Sequence, residues 1–431
     1  MPLILSLVAI PITLGGLGKI FKVLQLKCMV AILFIAAFMV PLAHNNFLAY
    51  HTFRDLLMQF IAYFFPMFLV LKTGKDIRKL VDLFIVMGCY FALWGLTHGG
   101  VGPGGFLGDE NDLGLAMVAM LGYPLLALED AKGTRRIFYL FSVGVLLAGT
   151  VVTASRGTFV GVVMLCFFGF LQSTKKVKIV GIGIFVFLCG LPFVPSEYWE
   201  DIKTIGDTNE GTSSARIEMW TIATHVWLHP PYFLAGAGLN NIPILIGDFE
   251  PEINQTSRGK SRAGRAVHSS LFQLLPDMGL FGLISFGLLV WHSFFGNRRL
   301  IKDCLEKDYS INLTKRKLGK YSRDMFESGD FEKEDLVPVP MSNLGEEDEG
   351  INIKQARILL DKVQDQISKT RTLLLGATAS LMGTLGAGLF VSALYYPSFW
   401  MIFTVCTMMQ IYTKRLFFNV ERIVGSFEIA S

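Results

Sequence analysis

Long apolar stretches separated by short polar connections run along the whole chain, at residues 2–18, 28–43, 55–71, 80–97, 113–128, 137–153, 157–172, 179–195, 270–293, 372–394 and 398–413. Crossing the hydrocarbon core of a bilayer takes roughly 20 helical residues. A helix also satisfies its own backbone where no water can. Each stretch therefore predicts a spanning helix, and the chain reads as an all-α, polytopic integral membrane protein with about 11 transmembrane helices. The first stretch has no basic residue before Lys19 and no small-residue cleavage site, so it reads as a retained helix.

The connections alternate in charge. Lys19, Lys22 and Lys27 follow the first stretch, Lys72, Lys75, Arg78 and Lys79 the third, and Lys132, Arg135 and Arg136 the fifth. Lys175, Lys176 and Lys178 follow the seventh, Arg298, Arg299 and Lys302 the ninth, and Lys414 and Arg415 the last. The intervening connections, 44–52, 98–112, 153–158 and 395–400, are poor in Lys and Arg. Basic loops stay in the cytoplasm, so the N-terminus is expected outside and the C-terminus inside. Two long hydrophilic segments interrupt the alternation, one outward and one cytoplasmic. The expected organisation is an N-terminal bundle (1–194), an extracytoplasmic loop containing an amphipathic helix (195–269), one transmembrane helix (270–296), a charged cytoplasmic insert (297–371) and a C-terminal transmembrane pair with its tail (372–431). Within the insert, the proline- and acid-rich run 321–350 reads as disordered and 353–371 as a helix.

Composition narrows the class further. The 431 residues are 52% hydrophobic and 17% charged, against about 25% charged in soluble chains. Of the 74 charged residues, 30 lie between Asn297 and Arg371, balanced at 15 basic and 15 acidic, which leaves the remainder short of charge. Soluble, disordered and fibrous classes are excluded, and the net charge of +4 gives nucleic-acid binding no support. Six cysteines without a CxxC pair or metal-ligand spacing predict neither disulfides nor zinc. His225 and His229 are four residues apart but lack a companion carboxylate, so no metal is expected.

The unusual polar residues collect on the outer side. Arg156, in TASRGT between two apolar stretches, is either a snorkelling interfacial arginine or an anion ligand whose planar fork matches phosphate oxygens. In GTSSARIEMWTIATHVWLHP, Ser213 or Ser214 would cap a helix whose apolar face carries Ile217, Trp220, Thr224 and Trp227. Arg216 would then sit in its first turn, where the dipole disfavours a cation unless an anion, or a distant carboxylate, offsets it. His268 follows Arg258, Lys260, Arg262 and Arg265, cations that keep an imidazole unprotonated. It is an interfacial residue or a base that takes a proton from a hydroxyl. Asp277, beside Pro276 in an apolar stretch, requires either a helix break or a partner among the outer arginines. Asp109, Glu110, Asn111 and Asp112 close a glycine-rich segment and could cap a helix or hydrogen-bond a sugar. Arg54 opens the third stretch and adds a further positive charge.

At SRG, SSARIEMW, GAGLNN and AVHSS the chain resembles the O-antigen ligase and polymerase superfamily. GPGGFLGDENDLGLAM, FVPSEYWEDIKTI and GAGLFVSALYYPSFW are similar to exosortase-A-associated O-glycosylation ligases, over residues 50–415. The resemblance implies an inner-membrane glycosyltransferase. It would move a glycan from undecaprenyl diphosphate to an acceptor hydroxyl (of a glycan, lipid or protein) at the periplasmic face, with inversion, without a metal or cofactor, and could do so within a polysaccharide-assembly complex. Arg156, Arg216 and His268 would be catalytic, and 195–269 the catalytic loop. Arg54, Asp109, Asn111, Trp220, Arg265 and Asp277 would bind substrate. The usual histidine-asparagine pair of lipid A ligases is His268-Ser269 here, which fits the exosortase-linked subgroup better. A polymerase would use the same donor. A lipid-linked-sugar transporter or flippase and a non-catalytic scaffold of a secretion complex are the readings from other classes.

Overall fold

The computed structural model describes residues 23–174, 176, 211–249, 264–328, 336–337 and 351–429. Its helices are α1 (Leu24–Met39), α2 (Asn46–Gln59), which passes through a π turn at Phe60–Phe64 into α3 (Phe65–Val70), and α4 (Gly74–Thr97). Then follow α5 (Glu110–Ala127), α6 (Gly133–Val152), α7 (Arg156–Gln172), α8 (Gly211–Leu228), α9 (Tyr232–Ala235) and α10 (Ile242–Phe249). The last three are α11 (Ser270–Ser328), α12 (Ile353–Gly388) and α13 (Pro397–Ile429). One antiparallel pair of two-residue strands, Leu336–Val337 with Ile351–Asn352, lies between α11 and α12.

Each apolar stretch among the described residues overlaps a helix; stretches 2–18 and 179–195 lie outside them. Four helical segments, Asn46–Val70, Gly74–Thr97, Gly133–Val152 and Ser270–Lys320, are long and apolar enough to cross a membrane, and Leu24–Met39 and Arg156–Gln172 are shorter apolar helices. The exterior is correspondingly apolar, with Phe34 73%, Ile137 69% and Trp291 57% exposed. A soluble surface does not carry such residues in this density; lipid does. The protein is an all-α, multi-pass membrane protein.

Local sequence sets the helix ends. Thr73 and Asp76 form a reciprocal capping box for α4, and Ser155 caps α7 by accepting from the Thr158 amide. Helix α5 is buried on every side from Leu113 to Leu126 and forms the centre of the bundle. Helix α7 approaches α12 closely through glycines: a Cβ on Gly161 would lie 2.9 Å from the Gly383 carbonyl oxygen and from the Ala387 methyl. At the end opposite α5's start, Arg371 of α12 reaches Glu129 at 3.6 Å, Asp130 at 3.5 Å and the Thr174 hydroxyl at 3.0 Å.

Two differences from the sequence reading concern helices. Helix α11 stays helical through Ser328, past residue 321 where disorder was expected. Its charged half is antiparallel to α12, with Gln364 bonded to Asp308 and Asn312, and Lys315 paired with Asp361. Once a helix is nucleated and paired, each added turn costs little. Helix α8 starts at Gly211, so Ser213 and Ser214 lie inside it and Arg216 is in its second turn, where the dipole acts less. It buries Met219, Ile222, Ala223 and Val226 against α10 and Val267 in a small core of its own. The expected face is the outer one: Ile217 is 42% exposed, and Trp220, Thr224 and Trp227 are half-buried. Two apolar stripes share this helix, and single-face periodicity picks out one.

Candidate functional site

Segments far apart in sequence meet at the end of the bundle where α5 begins. Asp109 caps that helix, its Oδ1 accepting from the Asn111 amide at 2.6 Å and from the Asn111 side chain at 2.9 Å. Asn111 Oδ1 accepts in turn from the Ser155 hydroxyl at 2.7 Å, and Arg156 is the next residue, the first of α7. A short hydrogen-bonded chain thus joins the acidic cluster to the serine of SRG, next to its arginine. Gly157 sits against Phe390, whose ring centroid is 6.1 Å from that of Trp220. Trp220 stacks on Phe272 at 5.0 Å and donates its indole N–H to the Val267 carbonyl at 3.2 Å. That bond ties the segment carrying His268 to the helix carrying Arg216.

His268 is where the charges converge. Its pKa is lowered from the ordinary histidine value, chiefly because the surrounding protein displaces water and secondarily by the Arg216 and Arg265 guanidiniums, while Asp109 opposes the shift. The imidazole keeps accessible area despite that enclosure, so a substrate can reach it. Its backbone is left-handed at φ 52°, and the other non-glycine residues with positive φ among the described residues, Ala154 and Asn240, are at this same end. Such conformations cost on the order of 1–3 kcal/mol each and concentrate where function requires them. The turn is held by its successors: Ser269 Oγ accepts from the Phe272 amide at 3.4 Å, and Ser270 Oγ donates to Val391 O at 2.7 Å and accepts from the Ala393 amide at 3.0 Å.

Asp277 resolves its two alternatives in favour of a break. Helix α11 is interrupted at Gly279, with φ 60° and ψ −159°, three residues beyond Pro276. The loop after α9 docks onto the break, Ala237 N–H donating to Pro276 O at 2.6 Å. Gly236, at φ 90°, permits this approach, since a Cβ there would fall 2.6 Å from the Asp277 carbonyl oxygen. The carboxylate takes its hydrogen bond from the Tyr395 hydroxyl and not from an outer arginine, the other alternative. The Asn240 and Asn241 amides and the Gln273 side chain also face the carboxylate, yet Oδ1 closes no hydrogen bond with good geometry among the described residues. A buried carboxyl group needs a donor, and the fold brings the tyrosine just before α13 within reach of it.

Asp277 lines a cavity of about 350 Å³ that shares a wall with the His268 segment through Ala266 and Val267. Arg54, exposed on α2, is not among the residues that line this cavity. It pairs with the neighbouring Asp55 at 2.8 Å, and Asp55 itself lines the cavity. The structure thus gathers His268, Arg216, Arg265 and Asp109, attaches Trp220, Asn111 and Arg156 to their rim, and sets Asp277 in the wall of the adjacent cavity, which Arg54 touches only through Asp55. Sequence reasoning passed over Gln59, Gln273, Ser392, Tyr395 and Tyr396. The signal available was polarity inside apolar stretches for the two glutamines, and the YY doublet between the last two stretches for the tyrosines. Tyr396 donates to Asp112 at 3.2 Å, which links the cavity to the α5 cap.

The family model described as O-antigen ligase matches residues 115–287, from α5 to just beyond the break in α11. The match includes Arg156, Arg216, Trp220, Arg265, His268 and Asp277, and it supports the O-antigen ligase and polymerase superfamily that the motifs resemble. No curated protein matches the chain.

Proposed function

We propose that this chain, with the O-antigen ligase match as premise, is a membrane glycosyltransferase. It transfers a glycan from undecaprenyl diphosphate to an acceptor hydroxyl at the outer face of the inner membrane. The observation that carries the reading is an accessible histidine, kept unprotonated by desolvation and by two arginines.

The chemistry follows from those groups. His268 takes the proton from the acceptor hydroxyl while its oxygen attacks the anomeric carbon. The bond from that carbon to the diphosphate oxygen breaks, and its electron pair stays on the phosphate. Negative charge grows there in the transition state, where fixed cations count most. Arg216 and Arg156, with Arg265 beside them, supply that charge. Attack from the face opposite the leaving group inverts the anomeric centre. A ligase and a polymerase share these steps and differ in the acceptor. We assign the subgroup as exosortase-associated, because His268-Ser269 replaces the histidine-asparagine pair.

The test is consumption of a polyprenyl-diphosphate-linked glycan by membranes holding wild type or His268→Asn at matched levels. Asparagine tolerates left-handed backbone, so the variant removes the base and keeps the turn. The expected loss is about 10²- to 10⁴-fold in transfer, and the product mass identifies the acceptor. Equal transfer by both proteins removes His268 from the mechanism. Movement of intact lipid-linked glycan across the bilayer without transfer supports the flippase instead.

A further inference from the structure

The cavity beside His268 holds an unusual concentration of unsatisfied oxygen. Among the described residues, four buried side-chain oxygens that close no hydrogen bond belong to residues lining this one space: Gln59 Oε1, Gln273 Oε1, Asp277 Oδ1 and Ser392 Oγ. Asp277 is 0% and Gln273 6% exposed, so neither reaches bulk water. Buried polar groups are almost always paired, and four orphans facing one cavity indicate that something entering it completes them.

The lining defines what enters. The two amide carbonyls accept hydrogen bonds and cannot give them, while the Ser392 hydroxyl does either, so the occupant must bring donors for the glutamines. A diphosphate brings none at neutral pH, and among the described residues no lysine, arginine or histidine lines the space to hold one. Sugar hydroxyls donate. The rings of Phe106, Tyr395 and Tyr396 on the walls offer apolar faces to the C–H side of a pyranose. At about 350 Å³, the volume falls in the range of small-ligand pockets.

We propose that this cavity is a sugar subsite, binding an uncharged, hydroxyl-rich ring through Gln59, Gln273, Asp277 and Ser392. The diphosphate stays on the arginine side of the Ala266-Val267 wall. The assignment of this ring to a transferred or accepting glycan rests on the glycosyltransferase reading; the binding itself does not. Donor and acceptor glycans share the chemistry, and kinetics separates them.

The experiment uses full-length protein in lipid nanodiscs and, as probe, the free glycan released by mild acid from the lipid-linked donor of the producing cells. Saturation-transfer NMR should show the glycan bound to wild type and to His268→Asn, with the signal at least tenfold weaker in Gln59→Leu and Gln273→Leu. Ser392→Phe, which fills the space and leaves Asp277 in place, should behave the same way if a leucine variant fails to fold. In steady-state transfer, KM should rise about tenfold for one substrate, and the one affected, lipid-linked donor or acceptor, names the ring's source. Absence of signal with wild type, or equal signal with all three cavity variants, overturns the subsite and leaves a hydrated cavity. Cavity-dependent binding by a wild type that transfers no glycan overturns the glycosyltransferase reading alone.

Discussion

As the proposed base, His268 must be neutral to accept a proton, and its neighbours decide at which pH that holds. Burial lowers its pKa, Arg216 on α8 and Arg265 on its own segment lower it further, and Asp109 before α5 raises it. A group with a lowered pKa loses its proton earlier as pH rises. Transfer should therefore climb through an acid limb below the usual histidine range and be flat at neutrality. Arg265→Gln removes one of the lowering charges, so its limb should move to higher pH; Asp109→Asn keeps the helix cap and removes the opposing charge, so its limb should move to lower pH. The measurement is log kcat/KM against pH for the three proteins, and coincident limbs would detach His268 from the proton transfer. The residues in this circuit were legible in sequence because arginine and histidine are conspicuous beside apolar stretches. The left-handed turn at His268 was not legible, since nothing in AVHSS marks a residue forced into φ 52° by Ser270 bonding to a loop more than 120 residues away.

At the level of elements, α7 is placed by glycine. Gly157 lies against Phe390, and Gly161 one turn further along meets Gly383 and Ala387 of α12 at a distance that excludes any side chain. Helices in lipid gain little from burying apolar area and associate by close backbone approach instead. Gly161→Leu should separate α7 from α12, costing about 1–3 kcal/mol by overpacking. Arg156, five residues before it at the helix start, would be carried away from the acidic cap it adjoins. The expected result is a lower unfolding temperature in detergent together with reduced kcat/KM. Retained stability and activity would mean that α12 does not position the arginine. Hydropathy made the helices themselves readable, because bilayer thickness fixes their length and apolarity. It could not show which face of α8 is buried or that α11 breaks at Gly279. Both follow from segments that dock from elsewhere, α10 and the loop after α9.

The whole molecule separates its chemistry by ends. Asp109, Arg156, His268 and Tyr396 lie where α5 and α7 begin, while Glu129, Asp130 and Thr174 surround Arg371 at the other. The alternation of basic and non-basic loops foretold this division, because successive spans must reverse direction. The cavity it could not foretell: Gln59, Gln273 and Ser392 reach one space only through tertiary packing. Which end faces out is the step that connects the fold to its proposed substrate, since a glycan carried across on a polyprenyl diphosphate would be met on the far side of the membrane from the positively charged loops. In a background with the six native cysteines replaced, Ala266→Cys, on the exposed segment next to His268, should react with a membrane-impermeant maleimide in intact spheroplasts. Lys302→Cys, at a side chain 79% exposed near the opposite end of α11's apolar half, should react only after the membrane is opened. The reverse pattern would place His268 in the cytoplasm, where nucleotide-activated sugars and not flipped lipid-linked glycans are the available donors, and the site would then need a different leaving group for its arginines to hold.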